Sequence, residues 1–268
     1  MYLKVFLSYL LRFIYNEIMD DYQSINAKII NNWVKSGWEW SIPIDHETFL
    51  NALNGKWSVL LTPNIPVPKK WFGEIKDKQF LGLASGGGQQ MPIFTALGAY
   101  CTSFDISQEQ LNHDLFVATR EGITINTVCG DMTQPLPFPD DHFDLIFHPV
   151  SNCYVDDVIP IWKECYRVLK KGGVLLAGFD NGIPYVLNDE DGSLLAPLPY
   201  NPLKNQDYFK EAVNEDFGIQ FSHTIEEQIG GQLQAGFTLT DIYQDTSYDD
   251  IFAKYNIPIF YATRCAKY

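Results

Sequence analysis

Three consecutive glycines, Gly86-Gly87-Gly88, follow the short apolar run Phe80–Ala84. Without a Cβ in the way, a chain can bend sharply there and lie close against a ligand. The helix-like stretch Met91–Leu97 comes next, so unpaired N–H groups at a helix start would face an electron-rich ligand end. A tight loop holding no ligand reads equally well from this turn alone. Asp105 shifts the balance, because it ends a second apolar run, Ala99–Ile106, 17 residues after Gly88. A carboxylate at that strand tip can accept both hydroxyls of a ribose. The competing task, capping the next helix, falls to Ser107, which opens a capping box with Gln110 and leaves Asp105 free. Gly130-Asp131-Met132 follows a third run. An acid and a main-chain N–H there can read an adenine edge, although Gly-Asp is also ordinary turn chemistry. His148, directly after the apolar Phe143–Phe147, and Tyr154 behind it are candidates for moving a proton. For His148 a buried structural role is the equal reading.

These residues need a frame that brings strand ends together. Apolar runs at Phe80–Ala84, Ala99–Ile106, Ile123–Val128, Phe143–Phe147 and Val174–Phe179 alternate with helical patterns. One helix should run from Ser107 to about Arg120 and stop at Gly122. Another should start at Asp156-Asp157, with Val158, Ile161, Trp162, Cys165, Val168 and Leu169 on one face. Lys170-Lys171 suit its C-terminal dipole and Gly172-Gly173 should end it. Strand and helix in this rhythm predict an α/β fold, a mostly parallel sheet with helices on both faces. Thr224–Ala235 reads as a helix weakened at Gly230-Gly231, followed by strands at Phe237–Tyr243 and Ile257–Thr263.

From Phe80 to Phe179 the chain resembles the class I S-adenosylmethionine-dependent methyltransferases, especially the subgroup with quinone-biosynthesis enzymes and other bacterial small-molecule methyltransferases. The matching residues are Gly86-x-Gly88, Phe104-Asp105-Ile106-Ser107, Gly130-Asp131-Met132, Leu136-Pro137-Phe138-Pro139-Asp140-Asp141-His142-Phe143-Asp144 and Arg167-Val168-Leu169-Lys170-Lys171-Gly172-Gly173. The resemblance implies a Rossmann-like sheet whose last strand enters antiparallel, with S-adenosyl-L-methionine as cofactor. It implies that Ala84, Ser85, Gly86 and Gly88 cradle the methionine part, and that Asp105 holds the ribose. Ile106 would pack on the adenine, Asp131 and Met132 would touch its edge, and His148 would lie near the methyl donor. Two departures stand out. The family usually has an acid where Gly82 stands and a glycine where Ala84 stands; Ala84 fits if its φ is negative. Gln89 and Gln90 are candidates to replace the lost polar contact.

Residues 1–71 read as a leader or lid before a cofactor-binding domain over 72–268, with a substrate-side insertion at about 181–222. The leader holds five of the six tryptophans, Trp33, Trp38, Trp40, Trp57 and Trp71. Their rings either line an acceptor site or pin the leader to the sheet. The apolar Val5–Leu11 is too short to cross a bilayer, and residues 1–18 read as an added helix or as a start placed upstream of Met19. With 33 acidic and 19 basic residues the net charge is −14, which disfavours a nucleic-acid partner and makes a small-molecule acceptor the default. Five scattered cysteines without a Cys-x-x-Cys pair suggest a reducing, cytoplasmic setting and no metal site. Oligomeric state has no signature in the sequence. A cofactor-binding protein without catalysis and a nucleic-acid methyltransferase are the other expectations.

Overall fold

The computed structural model describes residues 22–214 and 217–268. The expectations about residues 1–18 lie outside the described residues. The five apolar runs form β1 (Gln79–Leu83), β2 (Tyr100–Asp105), β3 (Asn126–Cys129), β4 (Phe143–His148) and β5 (Leu169–Asp180). β6 (Thr238–Asp245) and β7 (Phe260–Ala266) complete a seven-stranded sheet in the order β3-β2-β1-β4-β5-β7-β6. β7 is antiparallel to both neighbours, and the β3-β2-β1-β4-β5 series is parallel. The expected mostly parallel α/β fold with an antiparallel last strand is therefore observed. Strand order reverses at β1, which puts a ligand crevice beyond the carboxyl ends of its neighbours.

The described helices are α1 (Tyr22–Lys35), α2 (His46–Leu53), α3 (Gln90–Ala96), α4 (Gln108–Glu121), α5 (Ile159–Val168) and α6 (Gln206–Asn214). A π turn, Glu226–Gly230, continues as α7 (Gly231–Ala235), and α8 (Ile251–Lys254) precedes β7. Period-two alternation splits the strands between two cores. Phe80, Leu145 and Phe147 pack with Phe94 of α3 on one face. Leu81, Leu83 and Ile146 pack with Trp162 and Cys165 of α5 on the other. The glycine pair anticipated as a weak spot is where the π turn gives way to α7. A side chain at Gly231 would meet the Trp162 ring at 2.6 Å, so close packing excludes one there.

One boundary differs from expectation. The helix thought to reach Lys171 ends at Val168, because Leu169 is extended (φ −82°, ψ 137°) and pairs with Phe143 of β4. Lys170 then lies on β5 and bonds Asp144 at 2.8 Å rather than a helix terminus. Arg167 explains the segment before β4: its guanidinium donates to the carbonyls of Leu136 and Phe138 and to Asp140 and Glu164. The Leu-Pro-Phe-Pro-Asp stretch is thus fastened by one side chain.

The leader is woven into the sheet. Asn31 on α1 accepts from Ser107 Oγ and from the Glu109 N–H, at 2.7 and 3.2 Å, which seats α1 against α4. Trp71 and Phe72 sit in the same core as Phe94. Leu61 is buried, and its carbonyl crosses so near Gly178 of β5 that any Cβ there would collide. Asp245, at the end of β6, accepts from Thr62 Oγ1 and from the N–H groups of Asn64 and Ile65.

Candidate functional site

The glycine turn uses its N–H groups internally. Gly86 donates to Asp105 Oδ2 (3.1 Å), Gly87 to the Gln110 carbonyl (2.9 Å) and Gly88 to Asp114 Oδ1 (3.1 Å). Through these bonds the turn is laced to β2 and α4. Added side chains at Gly86, Gly87 and Gly88 would meet Gln110 Cβ, Gln110 Oε1 and the His113 carbonyl at 2.6–2.9 Å. The glycines let the turn approach α4. Gly88 faces Pro43 and His113 instead of the cavity described below, so its expected place at a ligand is not borne out by the geometry. Ala84 has φ +48°, contrary to the negative value its type favours, so it carries left-handed strain.

Asp105 is 6% exposed. It was expected to be free, yet Oδ1 accepts from the Ser107 N–H (2.9 Å) while Oδ2 takes Gly86. Only half of the expected capping box forms: Ser107 Oγ accepts from the Gln110 N–H, and no return bond from Gln110 is possible where Asp105 holds the Ser107 N–H. Each oxygen keeps a further lone pair for a ligand. Burial raises the Asp105 pKa to about 6, against the opposing pull of the Ser107 and Gly86 N–H groups. Asp114 beneath it is raised to about 7 by burial and by the Asp105 charge.

Beside Asp105 is an apolar slot of about 40 Å³ lined by Ala84, Phe104, Ile106, Asp131, Met132 and Tyr154. Asp131 turns its carboxylate onto Thr133, accepting from the N–H and the hydroxyl at 2.8 and 2.7 Å. Ala84, Asp105, Ile106, Met132 and Tyr154 also line a cavity of about 990 Å³ that runs on past Ser85, Gly86, Gln90 and Gln110. The structure therefore brings together eight of the predicted residues, Gly88 and His148 excepted.

His148 is fully buried, with Nδ1 2.8 Å from the Leu83 carbonyl and Nε2 2.6 Å from the Asn152 side-chain amide. Its ring packs edge-on to Trp162. Burial lowers its pKa, and it lines neither space. As a proton-transfer group or cofactor contact it is corrected: both nitrogens are committed to holding the β4 end to β1 and Asn152. Tyr154 does line both spaces, and burial pushes its phenol well above the ordinary range. It is an O–H donor at neutral pH.

Asp180, missed in the sequence, closes β5 as Asp105 closes β2. It is 5% exposed, accepts from the Gly182 N–H at 2.8 Å and lines the large cavity with Tyr185 and Cys153. Burial raises its pKa to about 6. The signal was an acid ending an apolar run before Asn-Gly. Trp38 and Trp40 face the same cavity, Trp40 stacked on Tyr248 at 5.8 Å, whereas Trp57 and Trp71 pack on Phe72 and Tyr243. Among the described residues no His, Cys, Asp or Glu cluster could hold a metal, and no helix is long and apolar enough to cross a membrane.

A nucleoside with a charged tail fits these residues at three points. A buried carboxylate faces the cavity, an apolar slot adjoins it, and Gln110 Oε1 is buried without a partner. At a fourth, the acid missing at Gly82, the space is filled by Met91, whose Sδ lies 2.9 Å from where a Cβ would stand. Comparison with known proteins agrees. Residues 81–177 match the family described as a methyltransferase domain. The uncharacterized methyltransferase YbaJ of Bacillus subtilis (strain 168) is 40% identical over 227 residues, 82% of this chain and 89% of its own. A sterol 24-C-methyltransferase of Gibberella zeae, ERG6B, is 30% identical over 90 residues, 33% of this chain and 23% of its own. Among solved structures, an S-adenosylmethionine-dependent methyltransferase of Mesorhizobium loti superposes with a TM-score of 0.56 at 17% identity, covering 74% of this chain and 95% of its own. Geranyl diphosphate C-methyltransferase of Streptomyces coelicolor A3(2), solved with geranyl diphosphate and S-adenosyl-L-homocysteine, gives 0.52 at 15% identity, over 74% and 76%.

Proposed function

The chain belongs to the class I S-adenosylmethionine-dependent methyltransferases, and from that premise we propose that it methylates a small, largely apolar molecule that gives up a proton in the reaction. The observation that carries this reading is the single cavity running from Asp105 and Ser85 to Asp180 and Tyr185. In this reading Asp105 accepts the ribose hydroxyls, Ile106 and Met132 enclose the adenine, and Asp131 lies at its edge. Ala84, Ser85 and Gly86 follow the methionine part, with Gln90 as a polar contact.

When bound, S-adenosylmethionine would supply an electrophilic methyl group, passed in line to a nucleophile with the neutral thioether as leaving group. The protein's part is to align the acceptor and exclude water. Trp38, Trp40 and Tyr248 form an aromatic wall for an apolar acceptor. Asp180 takes the proton the acceptor loses, and Tyr154 donates a hydrogen bond within the same space. A carboxylate whose pKa burial raises to about 6 is a better base than an ordinary one and still ionised at neutral pH. The sterol and geranyl diphosphate methyltransferases noted above act, by their names, on small molecules with a large hydrocarbon part, which supports this acceptor class. The acceptor side is formed by leader residues such as Trp38, Trp40 and Thr62 and by Pro184, Tyr185 and Asp189 of the insertion.

Methyl-tritiated S-adenosylmethionine offered with sterols, isoprenoid diphosphates, phenols and bulk RNA tests the proposal. Label should enter a small molecule, and Asp180→Asn should lower the rate at least tenfold with cofactor affinity retained. Label entering RNA and none of the small molecules would overturn it.

A further inference from the structure

We propose that Gln110 is a second cofactor-positioning residue, its side-chain amide hydrogen-bonding a ribose hydroxyl of S-adenosylmethionine next to Asp105. This rests on the reading that Asp105 receives the ribose. Gln110 is 6% exposed and lines the large cavity, yet its Oε1 has no hydrogen-bond partner. A buried amide oxygen left unpaired is unfavourable, and a leucine would fill the same space without that penalty. The side chain is also excused from its local task. The N–H to which a capping-box glutamine returns belongs to Ser107, and Asp105 already holds it.

Position favours the ribose. The main chain of Gln110 is fixed on both sides, its N–H donating to Ser107 Oγ (3.2 Å) and its carbonyl accepting from Gly87 (2.9 Å). Gly86 is the shared neighbour: a Cβ there would lie 2.6 Å from Gln110 Cβ and 3.2 Å from Asp105 Oδ2. The Gln110 Cβ and the Asp105 carboxylate therefore flank one residue of the turn, and the amide oxygen reaches the next, 2.9 Å from a Cβ at Gly87. The cofactor's ammonium is a poorer match, because a buried charge calls for a carboxylate, whereas a hydroxyl is neutral. A hydroxyl also both donates and accepts, so it satisfies either end of the amide.

Calorimetric titration of the wild type, Gln110→Leu and Asp105→Ala with S-adenosylhomocysteine and with 5′-methylthioadenosine, which lacks the amino-acid tail, tests this. Gln110→Leu should bind both ligands about tenfold more weakly, with a thermal midpoint equal to or above that of the wild type. Unchanged affinity for both ligands overturns the proposal. So does a loss seen with S-adenosylhomocysteine alone, which would move Gln110 to the tail, or a loss matched by a lowered midpoint, which would make it a packing residue. Asp105→Ala separates the two readings: if it binds like the wild type, the ribose site itself is misplaced. If only Gln110→Leu is silent, the site stands and this inference fails.

Discussion

Met91 occupies the space that a side chain at Gly82 would need, its Sδ 2.9 Å and its Cε 2.8 Å from the Cβ position. The family's usual acid would require this methionine to move. Gly82→Asp should therefore destabilise by about 1–3 kcal/mol through overpacking and a buried charge. Adding Met91→Ala should return part of that loss, giving a non-additive cycle by denaturant unfolding. Additive losses would mean that the two positions do not compete.

Asp105→Ala should weaken S-adenosylmethionine binding at least tenfold while the fold persists. Calorimetry with the cofactor checks the first part and circular dichroism the second. Wild-type affinity in this variant would leave the ribose assignment without support.

Stability and binding should respond to pH in opposite directions. Burial raises Asp105 and Asp180 to about 6 and Asp114 to about 7, above the usual aspartate value of about 3.9 in an unfolded chain. Between about pH 4 and 7 the folded protein thus holds more protons than the unfolded one, and stability falls as pH rises. Cofactor affinity should rise across pH 6, because hydroxyls bond best to ionised Asp105. Denaturant midpoints at pH 5 and 8, and Asp114→Asn, which should flatten their difference, test the first trend.

His148→Ala should cost about 2 kcal/mol, since it takes a buried partner from the Leu83 carbonyl and from Asn152 Oδ1. The pH profile of methyl transfer should keep its shape in whatever activity remains. A vanished acidic limb in this variant, and not in Asp180→Asn, would restore the histidine as the base.

Trp40→Ala should weaken cofactor or acceptor binding more than it lowers the unfolding free energy, because the ring lines the cavity while stacked on Tyr248. Equal losses in both would assign it to packing.

Much of the sheet was legible because strands covered on both faces must be short apolar runs, and glycine or an acid marks their ends. The Arg167 segment was read as a family signature, and its cause is a structural clamp on two carbonyls. What sequence could not reveal was how hydrogen bonds are shared. Gly86, Gly87 and Gly88 turn their N–H groups inward, and nothing local announces that Asp114 waits beneath them. His148 sits at a strand end, as expected, but one that points into the core. Asp180 carried the same pattern as Asp105 without a glycine turn to draw notice. The leader's bonds to Asp245 join residues about 180 positions apart, beyond any periodicity.

Those bonds have a consequence for how the molecule is made. The loop at Thr62–Ile65 finds Asp245 only once about 180 further residues have been made. Until then the Leu61 stretch lacks its far anchorage, and one wall of the reaction chamber stays open. A nascent chain halted before residue 238 would hold the sequences of the five parallel strands but lack β6, β7 and Asp245, so its acceptor side would be unfinished.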